Sequence, residues 1–136
     1  MIKKYSQINE KKPHRFVRDT LFYHGTDFPG KKLDTSFAGK GHDHPTSVFG
    51  IFFTSDKELA KTYGSNIIQA YLNVKKPYHM LYGEAQSFNS KREAVLFKKK
   101  LQEQGFDSIY IEPLVYGGEG QIAVFNKSDI VELKKL

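Results

Sequence analysis

"GIFFTSDKELAKTYG", residues 50–64, is a strand that runs straight into a short helix. Ile51, Phe52 and Phe53 are strongly strand-prone, and Gly50 and Thr54 bracket them. Ser55 followed three residues later by Glu58 has the spacing of a capping box, and Gly64 stands where a helix would stop. A helix of about two turns is therefore expected over 56–63, with Leu59, Ala60 and Tyr63 on one face.

Toward the N-terminus, "TLFYH" at 20–24 predicts a strand whose alternation places Leu21 and Tyr23 on one side and Phe22 with His24 on the other. Residues 25–49 are rich in Gly, Asp, Thr, Ser, Pro and Lys, the composition of a long loop, and a loop of that length inside a domain is usually functional. Residues 1–19 are polar and read as an arm or short helix. Toward the C-terminus, "IIQAYLNV" at 67–74 alternates as a half-buried strand ended by Pro77. "SKREAVLFKKKLQEQG" repeats the first helix's grammar: Ser90 with Glu93 as a capping box, Ala94, Phe97 and Leu101 on one face, and Gly105 as the stop. Strands are expected at 107–112 and 121–125, with a glycine-rich loop at 116–120 between them and a final "DIVEL" at 129–133. The sum is one α+β domain over 1–136, an arm at 1–19 and a core at 20–136, with about six short strands and two or more helices.

The 136 residues contain no cysteine, which excludes disulfides and thiolate zinc sites and predicts an intracellular protein. Residues 1–16 lack the apolar core of a signal peptide and no run reaches membrane-spanning length, so a cytoplasmic protein without membrane association is expected. The formal charge of +6 comes from lysine clusters such as Lys3-Lys4, Lys75-Lys76 and Lys98-Lys99-Lys100. These favour polyanionic ligands, although solvated lysine faces are the commoner explanation.

His24-Gly25 in "LFYHGTDFPG", at the end of a strand, is the first chemical candidate. A residue without Cβ lets a ligand approach the backbone, and an imidazole beside it can donate to a ribose hydroxyl or a phosphate. "YHGT", "GIFFTSDKELAKTY" and "QIAVFNKSDI" together resemble the three signature segments of ADP-ribosyltransferases of the diphtheria-toxin and poly(ADP-ribose) polymerase branch, in the short stand-alone form of bacterial toxins and phage proteins. The resemblance covers roughly 20–133; its most specific part is an aromatic pair followed ten residues later by a tyrosine. It implies a split β-sandwich and NAD as substrate, with transfer of a single ADP-ribose to a macromolecule and release of nicotinamide. By resemblance, His24 binds the adenosine ribose and Gly25 holds the nicotinamide amide through its backbone. Thr26, Phe53 and Thr54 flank the cofactor, Phe52 takes the place of a strand tyrosine, Tyr63 stacks on nicotinamide above the small Ala60, and Gln121 takes the place of the catalytic glutamate.

Two positions depart from the family pattern. Phe52 lacks the hydroxyl, and Gln121 offers no anion to the positive charge that develops as the glycosidic bond breaks. Three consequences stay open: Gln121 suffices, Glu119 enters the site from the same strand face, or the chain is a non-catalytic module that binds NAD, ADP-ribose, a protein or nucleic acid. The acceptor is expected to be a protein ahead of nucleic acid, and the chain a monomer. His42-Asp43-His44 has the spacing of a metal pair but lacks a third ligand, so no metal is expected. The "YGGEG" run lacks the following lysine and helix of a phosphate loop. Lys98, Lys99 and Lys100 read as a solvated helix face.

Overall fold

A computed structural model describes residues 20–26, 44–113 and 120–133. Among the described residues seven strands form two sheets. β1 (Phe22–Thr26), β3 (Asn66–Leu72) and β7 (Ile130–Glu132) make a three-stranded sheet in the order β1-β3-β7. β2 (Ile51–Phe53), β6 (Gln121–Val124), β5 (Ser108–Ile111) and β4 (Pro77–Met80) make a four-stranded sheet in the order β2-β6-β5-β4. All pairings are antiparallel except β4 with β5. The helices are α1 (Lys57–Lys61), α2 (Tyr82–Gln86) and α3 (Lys91–Glu103), and Pro45–Phe49 forms a 3-10 turn. The α+β class expected from the sequence is the one found.

Alternation sorts the apolar residues into two cores. Phe22, Ile51, Phe53, Ile68, Ala70, Leu72, Ile122 and Val124 pack between the sheets. Phe49, Met80, Ala94, Leu101, Ile109, Ala123 and Phe125 form a second cluster beneath α3 on the opposite face of the four-stranded sheet. Rings dominate this second core: Phe88 meets Phe97 edge-on at 5.3 Å, and Tyr78 meets Phe106 and Phe97 at 5.5 and 5.6 Å. Such edge-to-face pairs add about 0.5–1.5 kcal/mol each beyond area burial.

Local signals hold where a side chain closes a backbone donor. Ser90 Oγ accepts from Glu93 N at 3.1 Å and opens α3, and Gly105, at φ 89°, lets the chain leave it. At α1 the cap is Asp56 rather than Ser55: its Oδ1 accepts from Glu58 N at 2.9 Å and Leu59 N at 3.2 Å. The helix accordingly starts one residue later than expected and stops at Lys61, short of Gly64. Pro77 opens β4 instead of merely ending β3, a position where a missing N–H is tolerated. The carboxylate of Asp107 secures that junction by accepting from Lys75 N at 2.7 Å and Lys76 N at 3.1 Å. Lys98 is not a solvated lysine: it lies 5.1 Å over the Phe125 ring and donates to the Val48 carbonyl, and burial holds its pKa below the usual lysine value.

Asp129 has a raised pKa, first because it is partly buried and second because Asp107 repels its charge, with Lys75 and Asn126 opposing. Folding therefore disfavours the ionised form, so the carboxylate costs stability above its raised pKa and the cost disappears as pH falls through that pKa. Asp129→Asn should raise the Tm at neutral pH, and the gain should shrink toward zero below about pH 4, as thermal denaturation across pH would register.

Candidate active site

The two sheets are joined where Tyr23 and Thr54 exchange backbone hydrogen bonds, Tyr23 N to Thr54 O at 2.8 Å and Thr54 N to Tyr23 O at 3.0 Å. Continued as a ladder, this register would next pair Gly25 with Phe52. Instead the imidazole of His24 occupies the gap: Nδ1 donates to the Phe52 carbonyl at 2.7 Å, and the ring lies 5.6 Å from the Phe53 ring. A carbonyl only accepts, so the proton sits on Nδ1, and in the neutral ring Nε2 is the acceptor. Backbone amides along a strand point to alternate edges, so the N–H and C=O of Gly25 turn to the same side as those of Tyr23, into the split.

Gly25 is also a packing requirement. A Cβ there would collide with the carbonyl oxygen of Ala60 and come within 3.3 Å of the Gly64 carbonyl. The end of α1 therefore rests on the β1 backbone, with Ala60 buried beneath it. This seating puts Tyr63, 45 % exposed, just beyond the helix and over the split.

Gln121 comes to the same place from the far end of the chain. It begins β6, where the register Phe53 with Ile122 sets it opposite Thr54. Its Nε2 donates to the Tyr63 hydroxyl at 2.9 Å, joining residues 58 positions apart. Gly120 before it has no room for a side chain, because the Tyr110 phenol lies against it.

The structure thus brings His24, Gly25, Tyr63 and Gln121 to one split, and it places the remaining candidates around it. Phe53 is a core residue beneath His24, and Thr54 is buried, with Oγ1 accepting from Asp56 N at 3.2 Å. Thr26 pairs with Asn66 at the end of β1. The Phe52 carbonyl faces His24, and its partly buried ring packs against the second core from the face of the four-stranded sheet that Gln121 shares. Glu119, His42 and Asp43 lie outside the described residues. His44 caps the 3-10 turn, its Nδ1 accepting from Thr46 N at 3.2 Å. Among the described residues no group of three or more His, Asp or Glu could hold a metal ion. Nor is any helix there long and apolar enough to cross a membrane.

A family model described as "ADP-ribosyltransferase in polyvalent proteins" matches residues 18–134. The chain belongs to this ADP-ribosyltransferase family. No curated protein matches it. Among the described residues of this transferase domain, sequence reading did not anticipate that His79 Nε2 and Glu112 Oε1 meet at 2.6 Å. His79 is one strand over from Tyr110, whose ring it meets edge-on at 5.7 Å. Alternation puts this pair on the inter-sheet face, whereas Gln121 projects from the other face. The two residues are 33 apart and pair only because β4 and β5 are parallel neighbours, so no local pattern announces them.

Gly25→Ala should destabilise the transferase domain by about 1–3 kcal/mol, because backbone rather than a flexible side chain must give way. Gly83→Ala, with nothing within 4 Å of its added methyl, should be neutral or slightly stabilising. Denaturant titration of the two variants compares them directly.

Proposed function

We propose that the protein is an NAD-dependent mono-ADP-ribosyltransferase that moves ADP-ribose from NAD to a macromolecule and releases nicotinamide. The observation that carries this reading is the Tyr63–Gln121 hydrogen bond beside the inward-turned backbone of Gly25. An aromatic face, a fixed amide donor and acceptor, and an acceptor or donor at the end of a polar side chain suit a carboxamide ring attached to a ribose. In this reading Gly25 holds the nicotinamide amide, Tyr63 stacks on its ring and His24 serves the adenosine ribose. Gln121 accepts from a hydroxyl of the nicotinamide-side ribose, and Glu119 is a candidate to reinforce it. The bond between nicotinamide nitrogen and ribose carbon breaks, and an acceptor nucleophile takes that carbon.

We further propose that this transferase belongs to the diphtheria-toxin and poly(ADP-ribose) polymerase branch, acts in the cytoplasm as a monomer and is of a bacterial-toxin or phage kind. A protein acceptor is favoured over nucleic acid. A second reading, a domain that binds NAD or ADP-ribose without turnover, has a specific observation in its favour: the site carries an amide at 121 and no hydroxyl at Phe52.

Incubation with NAD labelled on its adenylate, alone and with cell lysate before and after nuclease treatment, tests the proposal. Label should pass to a macromolecule with release of nicotinamide, and His24→Ala should abolish both. Nuclease sensitivity of the labelled product identifies the acceptor class. Absence of nicotinamide release and of transfer in every condition would leave the binding module as the correct reading.

Two variants separate the roles of ring and amide. Tyr63→Ala should weaken NAD binding more than Tyr63→Phe, because a stacked ring contributes about 1 kcal/mol beyond area burial. Gln121→Glu should accelerate nicotinamide release by on the order of a hundredfold, the scale set by one preorganised electrostatic partner. Calorimetry with NAD and a nicotinamide-release assay measure the two effects.

A further inference from the structure

β4 hands over to α2 at Leu81, a residue suited neither to a cap nor to the surface. It stands at the N-cap of α2, where Asn, Asp or Ser would accept from the unpaired helix amides, and it makes no side-chain cap hydrogen bond. Its side chain is 58 % exposed, the highest of any large apolar residue among those described, and Tyr82 beside it is 37 % exposed. A leucine that neither caps nor packs adds little to folding.

The strand register places this pair beside the split. Gln121 pairs with Ile111 on β5, and Ile111 pairs with Met80 on β4, so one lateral row runs from Gln121 to the residue before Leu81. Glu112 N donates to the Met80 carbonyl at 2.9 Å and holds β4 and β5 together to the end of that row. Neighbouring strands are about 4.8 Å apart, which sets Met80 about 10 Å from Gln121. Continued one residue further, the register sets Gly120, Glu112 and Leu81 in the next row. Gly120 has no side chain and His79 engages the Glu112 carboxylate at 2.6 Å, so Leu81 supplies the exposed apolar group of that row.

We propose that Leu81 and Tyr82 dock the acceptor, and that the acceptor is a protein whose extended segment carries an apolar side chain about three residues from the one modified. The proposal rests on the transferase reading above. The acceptor nucleophile has to reach the ribose carbon beside Gln121, and one flank of its segment then passes over the ends of β5 and β4. Three residues of extended chain cover about 10 Å, the distance from Gln121 to this ledge. An apolar side chain seated on Leu81 takes both surfaces out of water. A contact this small suits a substrate that has to leave after each turnover, because stable partners bury far more. Nucleic acid could stack on Tyr82 but would gain little from Leu81.

Leu81→Asn in the full chain separates docking from a structural role, because asparagine is a good N-cap. Its Tm should stay level or rise, whereas removal of a packed leucine would lower it. With adenylate-labelled NAD and nuclease-treated lysate, Leu81→Asn combined with Tyr82→Ser should cut the rate of label transfer to protein about tenfold. Nicotinamide release without lysate and KM for NAD should stay within about twofold. Leu96→Asn, at a similarly bare leucine on the outside of α3, should leave transfer unchanged. Undiminished transfer in the double variant, an equal loss of nicotinamide release, or label found only on nuclease-sensitive product would overturn the proposal.

A readout independent of turnover uses four nine-residue peptides, each with a central serine, arginine, glutamate or cysteine and a leucine three positions away. At least one should shift the methyl resonances of Leu81, assigned by their disappearance in Leu81→Asn, and its counterpart with serine in place of that leucine should not. No shift with any of the four would sink the proposal even in an active enzyme. If the unmodified protein releases no nicotinamide and moves no label, the transferase reading fails, and these resonances still decide whether the ledge binds an apolar segment.

Discussion

The pair of backbone hydrogen bonds between Tyr23 and Thr54 is the constraint on which the rest of the structure depends. It ties the edge of one sheet to the edge of the other at a single point, and the strands separate beyond it. Two side-chain choices keep them apart. His24 takes the Phe52 carbonyl that a continued ladder would have used, and Gly25 accepts the end of α1 directly onto its backbone. A larger residue at 25 would displace the helix that presents Tyr63. Gly25 is thus needed for the fold itself.

β6 is the second determinant. It is paired on both sides and contributes to both cores, with Ile122 and Val124 between the sheets and Ala123 under α3. A one-residue slip would reverse these faces and bury the wrong side chains, so its register is strongly specified. That register carries Gln121 to the split opposite Thr54, within reach of Tyr63. Hydrophobic burial elsewhere thus determines the position of a polar group whose own interactions are few.

Gln121 brings a dipole and no charge to the split, and its amide meets the Tyr63 phenol. The aromatic residues divide accordingly: most phenylalanines, including the Phe52 ring, fill the core beneath α3, whereas Tyr63 stands out beyond α1.

Much of this was legible in the sequence because the signals are local. Alternation at "TLFYH" separated Phe22 and His24 from Tyr23, the Ser90 cap and Gly105 stop delimited α3, and "GIFFTSDKELAKTY" marked a strand feeding a helix. β4 and α2 were missed for physical reasons. β4 owes its existence to a parallel partner about thirty residues away, and no side chain caps the start of α2. The first helix was capped by Asp56 rather than Ser55, since two competent oxygen acceptors stood side by side and only the backbone path chose between them.

By itself the sequence determined the class of fold, the faces of its strands and the candidates His24, Gly25, Tyr63 and Gln121, because each leaves a pattern within a few residues. Tertiary structure decided that His24 bonds the Phe52 carbonyl, that Gly25 bears the weight of α1, and that Tyr63 and Gln121 touch. Those contacts join segments far apart along the chain, and their geometry exists only once the sheets have packed.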